Sequence, residues 1–238
     1  MGLRKASTSF RKGPLATIVI PTLNEEKNLP LLFKELAPIR ASRRTEILIV
    51  DGFSTDKTVK IAERNGARVL FDRVGKGSAI IKGLSSARGN VIVIMDADCS
   101  HAAGELPILI GKIEEGYDVS MGSRFMPGGG SGDITLLRFI GNKFFVSLVN
   151  VLWRTGYTDL CYGYRAFSRG AARALRSQLE SKGFGIETEI SIKCAKLGLA
   201  AIEVPSYEKP RFSGESRLKT FRDGFIILKT IAKERLGS

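Results

Sequence analysis

The sequence predicts an α/β fold with a mostly parallel, doubly wound central sheet and helices on both faces. Two patterns carry this expectation. Short apolar strand segments alternate with helical ones three times across residues 17–90, the spacing of right-handed crossovers between parallel strands. The next strand, residues 91–95, is apolar at every position, as a strand covered on both faces must be, and it stops at two carboxylates, Asp96-Ala97-Asp98. With 238 residues, 43% of them hydrophobic and 26% charged, the chain can bury a substantial core.

Taken in order, residues 17–20 read as a strand closed by Pro21, and Asn24-Glu25-Glu26 as the cap and acidic first turn of a helix. Residues 46–50 form a second strand ending in Asp51-Gly52, after which Ser54 or Thr55 caps a helix running to Arg64 and stopped by Gly66. Residues 68–71 are a third strand, and Gly75-Lys76-Gly77 leads into a helix over 78–88. Beyond the carboxylates, residues 107–115 are helical and 118–121 are a strand leading to Gly122-Ser123-Arg124. The glycine-rich stretch 127–132 reads as a mobile loop beside the site. Residues 135–154 are helical, with Arg138, Asn142 and Lys143 interrupting an apolar surface. A strand over 162–167, a helix over 187–197 and a late strand over 200–204 follow. The last helix, 218–236, places Leu218, Phe221, Phe225, Leu228 and Ala232 at steps of three and four. The expected division is a basic arm (1–14), one catalytic domain (15–212) and a basic amphipathic C-terminal helix (213–238).

The net charge of +13 is concentrated at the ends. Arg4, Lys5, Arg11 and Lys12 have no acid near them, and residues 209–238 carry eight basic against three acidic side chains. A polyanionic partner is implied, either a nucleic acid or an anionic membrane surface. The three cysteines, Cys99, Cys161 and Cys194, lack metal-ligand spacing and point to a reducing compartment; with His101 the single histidine, zinc is not expected. No signal peptide is expected, and the longest apolar run, 144–153, is about half the ~20 residues that span a bilayer, so the chain is expected to be soluble or peripheral.

Two carboxylates held one residue apart at a strand end are costly unless a cation shares them. Hard oxygen donors suit Mg²⁺ or Mn²⁺, with water or phosphate completing the shell, so Asp96 and Asp98 suggest a metal-bound diphosphate. The same residues could also simply cap the following helix.

Several motifs in fixed order decide between these. Ile20-Pro21-Thr22-Leu23-Asn24-Glu25-Glu26, Val50-Asp51-Gly52 with Ser54-Thr55-Asp56, Gly75-Lys76-Gly77-Ser78-Ala79, Asp96-Ala97-Asp98, Gly122-Ser123-Arg124 and Tyr162-Gly163-Tyr164-Arg165 resemble family-two glycosyltransferases. Within them the chain looks most like dolichyl-phosphate mannose synthases and related polyprenyl-phosphate glycosyltransferases, over about residues 16–222. The resemblance implies a GT-A fold, a nucleotide-sugar donor with GDP or UDP, and inversion at the anomeric carbon of a mannose or glucose. It puts Pro21, Leu23 and Glu25 at the nucleotide loop and Asp51 at the base. Lys76 and Gly77 fall near the donor phosphates, and Asp96 and Asp98 on the metal. Some relatives have glutamine where this chain has Ser100, which either reaches the metal or caps the next helix.

On the acceptor side, Arg124, Arg138, Arg165, Arg211, Arg217 and Lys219 exceed what one diphosphate requires, and guanidinium forks suit phosphate. Arg124 and Arg165, with Asp98, are the expected catalytic groups; Asp159 either orients Arg165 or acts as a base. The expected acceptor is a polyprenyl phosphate at the cytoplasmic face of a membrane, with the protein peripheral there and no nucleic-acid partner. Two other readings stand beside it: a soluble or glycan hydroxyl acceptor, with Asp133 the natural base, and a binding module without turnover.

Overall fold

The computed structural model describes residues 16–215 and 220–237, so Arg217, Lys219 and the expected basic arm lie outside the described residues. The chain alternates as expected: β1 (Ala16–Thr22), α1 (Leu29–Ser42), β2 (Thr45–Asp51), α2 (Thr58–Arg64), β3 (Arg68–Phe71), α3 (Lys76–Ser86) and β4 (Val91–Ile94). After the carboxylates come α4 (Leu106–Glu114), β5 (Val119–Ser123), β6 (Gly130–Ser131), α5 (Leu136–Trp153), β7 (Arg165–Ser168) and α6 (Arg169–Arg176). The chain continues through α7 (Ile186–Lys196), β8 (Ala201–Pro205), β9 (Tyr207–Glu208) and α8 (Thr220–Leu236).

Seven strands form one sheet in the order β3-β2-β1-β4-β7-β5-β8. All neighbours are parallel except β7, which runs antiparallel to both β4 and β5. The expected mostly parallel GT-A sheet is therefore present. Side chains alternate between its faces. Val19, Leu48, Val50, Ile92 and Ile94 pack towards α3, α6 and α7. Ile18, Ile20, Ile47, Ile49 and Val93 pack towards α1 and α4. Each of these ten is at most 2% exposed, and burying one such side chain stabilises the fold by about 1.5–3 kcal/mol. Gly83 lets α3 approach β1 closely, since a Cβ there would lie 2.2 Å from Val19 Cγ1.

Three local expectations are corrected. Pro21 does not end β1; that strand pairs with β4 only as far as Val19, so the missing N–H of Pro21 removes no bond from that ladder, and pairing with β2 continues to Thr22. Asn24 does not cap α1, which starts at Leu29. It takes φ 57°, and its Oδ1 accepts from the Thr55 backbone N–H at 2.8 Å, tying the β1 and β2 loops together. The glycine-rich stretch after β5 is not a free loop. Its Gly130–Ser131 pairs with Tyr207–Glu208, a short parallel ladder that the sequence did not suggest.

Helix α8 also differs from expectation. Its packed stripe is Asp223, Ile227, Ile231 and Glu234, whereas Phe221, Phe225 and Leu228 are exposed; Leu218 lies outside the described residues. Helix α5 is long and apolar enough, by length and composition, to cross a membrane, yet only 17% of it is buried. The expectation that the longest apolar run is 144–153 is therefore corrected, because Arg138, Asn142 and Lys143 fall inside one continuous helix.

Candidate active site

A cavity of about 1040 Å³ opens along the carboxyl ends of the strands. Pro21 near the end of β1, Leu23 and Glu25 just after it, Gly52 after β2, and Asp72 and Arg73 after β3 line one end; Asp96, Asp98 and Ser100 after β4 line its middle. The other end runs between α5 and α8, past Arg138, Leu137, Phe144, Phe221, Phe225 and Leu228.

The carboxylate pair is held by neighbours on every side. Lys76 Nζ lies 2.9 Å from Asp96 Oδ1 and 3.0 Å from Glu187 Oε1. Burial opposes the charge on Lys76, but the two carboxylates more than offset it and push its pKa up. Burial likewise raises the Asp96 pKa, and the Lys76 charge and hydrogen bond, with Arg211, bring it below the usual carboxylate range. Asp98 Oδ2 pairs with Arg211 at 2.9 Å, and its Oδ1 accepts from the Ser100 N–H at 3.0 Å and the Ser100 hydroxyl at 2.7 Å. Ser100 thus orients Asp98 and does not cap the next helix, whose N-cap position is Glu105. His101 Nδ1 accepts from the Asp96 N–H at 3.1 Å, and its ring stacks on Tyr164 with centroids 4.7 Å apart. Burial lowers its pKa, so it remains neutral near pH 7.

The segment after β8 is laid across this pair. Lys209 N–H donates to Ser100 O and Phe212 N–H to Asp98 O, while Asn28 Nδ2 donates to Ser213 O. Arg211 reaches Asp98 from this strap.

Three expected site residues do not face the cavity. The Asp51 carboxylate accepts from Thr22 Oγ1, Ser54 N and Ser54 Oγ at 2.6–2.8 Å, which consumes it inside the loop. Gly77 donates its N–H to Lys182 O, and a Cβ there would lie 2.1 Å from Ser181 O, so close packing explains this glycine. Arg165 is 1% exposed and donates to the carbonyls of Tyr162, Glu187 and Leu160 and to Ser191 Oγ. It braces α7 against β7 and has no route to an acceptor. Arg124 lines the cavity, but its donors go to Asp159 at 2.7 and 3.0 Å and to Glu208 at 3.0 Å. Asp159 therefore holds Arg124 and neither orients Arg165 nor stands free as a base.

Sequence reasoning overlooked His101 as a support, Glu187 as the second partner of Lys76, and Glu208. Only the third had a possible cue, an acid just after a strand ending at the site edge. Cys161 also lines the cavity, but burial pushes its thiol up to about 12, which leaves no thiolate nucleophile near pH 7.

Among the described residues no three or more His, Cys, Asp or Glu side chains form a metal cage. The two hard carboxylates suit instead a Mg²⁺ or Mn²⁺ ion that shares its shell with water and a diphosphate, the manner in which Mg²⁺ is usually held.

Comparison with known proteins agrees with this geometry. The family model described as Glycosyl transferase family 2 matches residues 17–176. The chain is 32% identical to Glycosyltransferase AglJ of Haloferax volcanii, over 88% of this chain and 68% of that protein. It is 31% identical to Polyprenol monophosphomannose synthase of Mycolicibacterium smegmatis, over 84% of this chain and 80% of that protein. Among solved structures, glucosyl-3-phosphoglycerate synthase from Mycobacterium tuberculosis, in complex with Mn²⁺, UDP and glucosyl-3-phosphoglycerate, superposes with TM-score 0.73 at 21% identity. That match covers 94% of this chain and 80% of the other.

Proposed function

Because the chain belongs to glycosyl transferase family 2 and is a glycosyltransferase, we propose that it moves a hexose from a nucleoside-diphosphate sugar to a polyprenyl phosphate. The observation that carries this reading is the continuity of the cavity. One opening runs from the nucleotide loops, past Asp96 and Asp98, into an apolar groove between α5 and α8. A soluble acceptor needs no such groove, and an isoprenoid tail does. The relative named Polyprenol monophosphomannose synthase supports the same acceptor class.

In this reading the sugar C1–O bond to the diphosphate breaks as a C1–O bond to the acceptor phosphate forms, with inversion, and the nucleoside diphosphate leaves with the electron pair. The acceptor phosphate is already ionised near pH 7, so the site needs no general base, consistent with the pairing of Asp159 to Arg124. A Mg²⁺ or Mn²⁺ on Asp96 and Asp98 would supply Lewis-acid neutralisation of the leaving diphosphate. Lys76 stands beside Asp96 and adds positive charge at that end. Arg211 and Arg138, at the mouth of the groove, align the acceptor phosphate; Pro21, Leu23 and Glu25 hold the nucleoside. Arg217 and Lys219 are assigned to the acceptor phosphate by resemblance alone. Exposed Phe221 and Phe225 of α8 and Leu136 and Ile140 of α5, flanked by Arg222 and Lys229, seat the groove against an anionic membrane face.

A second reading replaces the lipid by a small phosphorylated acceptor, because the structural neighbours named glucosyl-3-phosphoglycerate synthase were captured with such compounds. Transfer of labelled hexose from GDP-mannose and UDP-glucose, with Mn²⁺, to polyprenyl phosphate, polyprenol and 3-phosphoglycerate separates the readings. We expect organic-extractable product from polyprenyl phosphate alone. Asp98→Asn should lower that rate by about a hundredfold or more without changing the far-UV spectrum, since a lost metal ligand costs several kcal/mol of transition-state stabilisation. Equal use of polyprenol, or product only with 3-phosphoglycerate, refutes the lipid-phosphate acceptor.

A further inference from the structure

The nucleotide end of the cavity carries a feature that none of the motif residues explains. Phe53, next to Gly52, sits at φ 65°, in the left-handed region that a bulky side chain avoids. Its neighbours hold it there. Asp51 accepts from the N–H and hydroxyl of Ser54, Ser54 Oγ accepts from the Asn24 N–H, and Asn24 Oδ1 accepts from the Thr55 N–H. The strain is not compensated by burial of the ring, because Phe53 is 45% exposed and Phe71, beside it, 44%. The two ring centroids are 5.3 Å apart. The Arg73 guanidinium lies on the Phe53 ring, with Cζ 4.2 Å from the centroid, and Arg73 lines the cavity beside Asp72 and Val74. A strained, exposed ring that supports a planar cation at a ligand cavity has the makings of a stacking surface.

We propose that Phe53, braced by Phe71, carries Arg73 as a shelf on which the base of the donor nucleotide stacks. The inference rests on the nucleotide-sugar reading of the cavity. With the diphosphate at Asp96 and Asp98 and the acceptor groove on the α5 and α8 side, the nucleoside extends over the ends of β1, β2 and β3, where Arg73 stands. Asp51, the carboxylate expected to read the base, is consumed by Thr22 and Ser54, so stacking on Arg73 adds to the hold of Pro21, Leu23 and Glu25 at this end. Guanidinium planes and aromatic rings both stack on bases, and every base offers a π-face.

Calorimetric titration of the full chain in Mn²⁺ with GDP, UDP and inorganic diphosphate tests the shelf. The variants are Arg73→Ala and Phe53→Gly; glycine relieves the left-handed strain, so the second variant keeps its backbone. Both should bind the better nucleotide at least about fivefold more weakly, the lower end for one stacked base, and bind inorganic diphosphate as the wild type does. Unchanged nucleotide affinity in either variant, or an equal loss for inorganic diphosphate, overturns the shelf and leaves the nucleotide site standing. A wild-type protein that binds neither nucleotide overturns the site reading and the shelf with it.

Discussion

Arg165 and Arg211 are both arginines in recognised motifs, and their surroundings give them opposite roles. Arg211 ends at the Asp98 carboxylate inside the cavity, whereas Arg165 is buried against three backbone carbonyls and a hydroxyl. Arg165→Ala would leave the carbonyls of Leu160 and Tyr162 without this donor, at about 1–3 kcal/mol for each buried group left unsatisfied, while the Glu187 carbonyl keeps the Ser191 hydroxyl. Thermal or urea unfolding should therefore show a loss of several kcal/mol, with donor and acceptor KM little changed in the protein that remains folded. A normal melting temperature with impaired acceptor use would return Arg165 to the site. The motifs identified the residues around the site, but not which way each side chain faces. Arg165 is turned inward by α7, and Asp51 by Thr22 and Ser54; a motif does not report such partners.

The strands and long helices were legible because their apolar runs have marked ends, and the marked ends alone sufficed for the four residues of β3, read to the residue. The helix α6 and the pair β6 and β9 were missed; strands of two residues carry no period to read, and the eight residues of α6 carry little. Between elements, Glu46 is a polar tie that joins three segments. It accepts from Thr17 on β1, Arg68 on β3 and the Arg88 N–H just beyond α3. Burial raises its pKa, but these hydrogen bonds and the Arg68 charge outweigh that and leave it below the ordinary 4.5. A carboxylate depressed in the folded state contributes its stability above its unfolded pKa and loses it as pH falls through the folded one. Glu46→Gln should thus cost about 1–3 kcal/mol at pH 7. The gap between variant and wild type should close as pH falls below about 4.5. Urea melts across that range that keep the gap constant would contradict the assignment.

At the scale of the whole molecule, the groove is made by helices from distant parts of the sequence, α5 and α8, and becomes visible only when they are packed. The sequence suggested α8 as membrane-facing through a stripe that includes Phe221 and Phe225, both exposed in the structure, without showing that Ile227 and Ile231 hold the opposite face to the core. Deleting the helix would therefore disturb the fold, and Phe221→Ser with Phe225→Ser is the cleaner variant. The wild type should sediment with anionic liposomes at low salt and release at high salt, each basic residue near the surface adding about 1 kcal/mol. The double variant should stay in the supernatant. Equal sedimentation of both would place the contact elsewhere.

In the proposed reaction a phosphate at the Arg138 and Arg211 end trails an apolar tail into the groove. The decisive measurement is kcat/KM for a series of acceptors that share a monophosphate and lengthen one isoprene unit at a time. Burial of each added methylene is worth about 0.8 kcal/mol, so efficiency should climb steeply over the first units and level off once the groove is filled. A short, water-soluble phosphate used as efficiently as the long-chain lipid would contradict this placement of the tail.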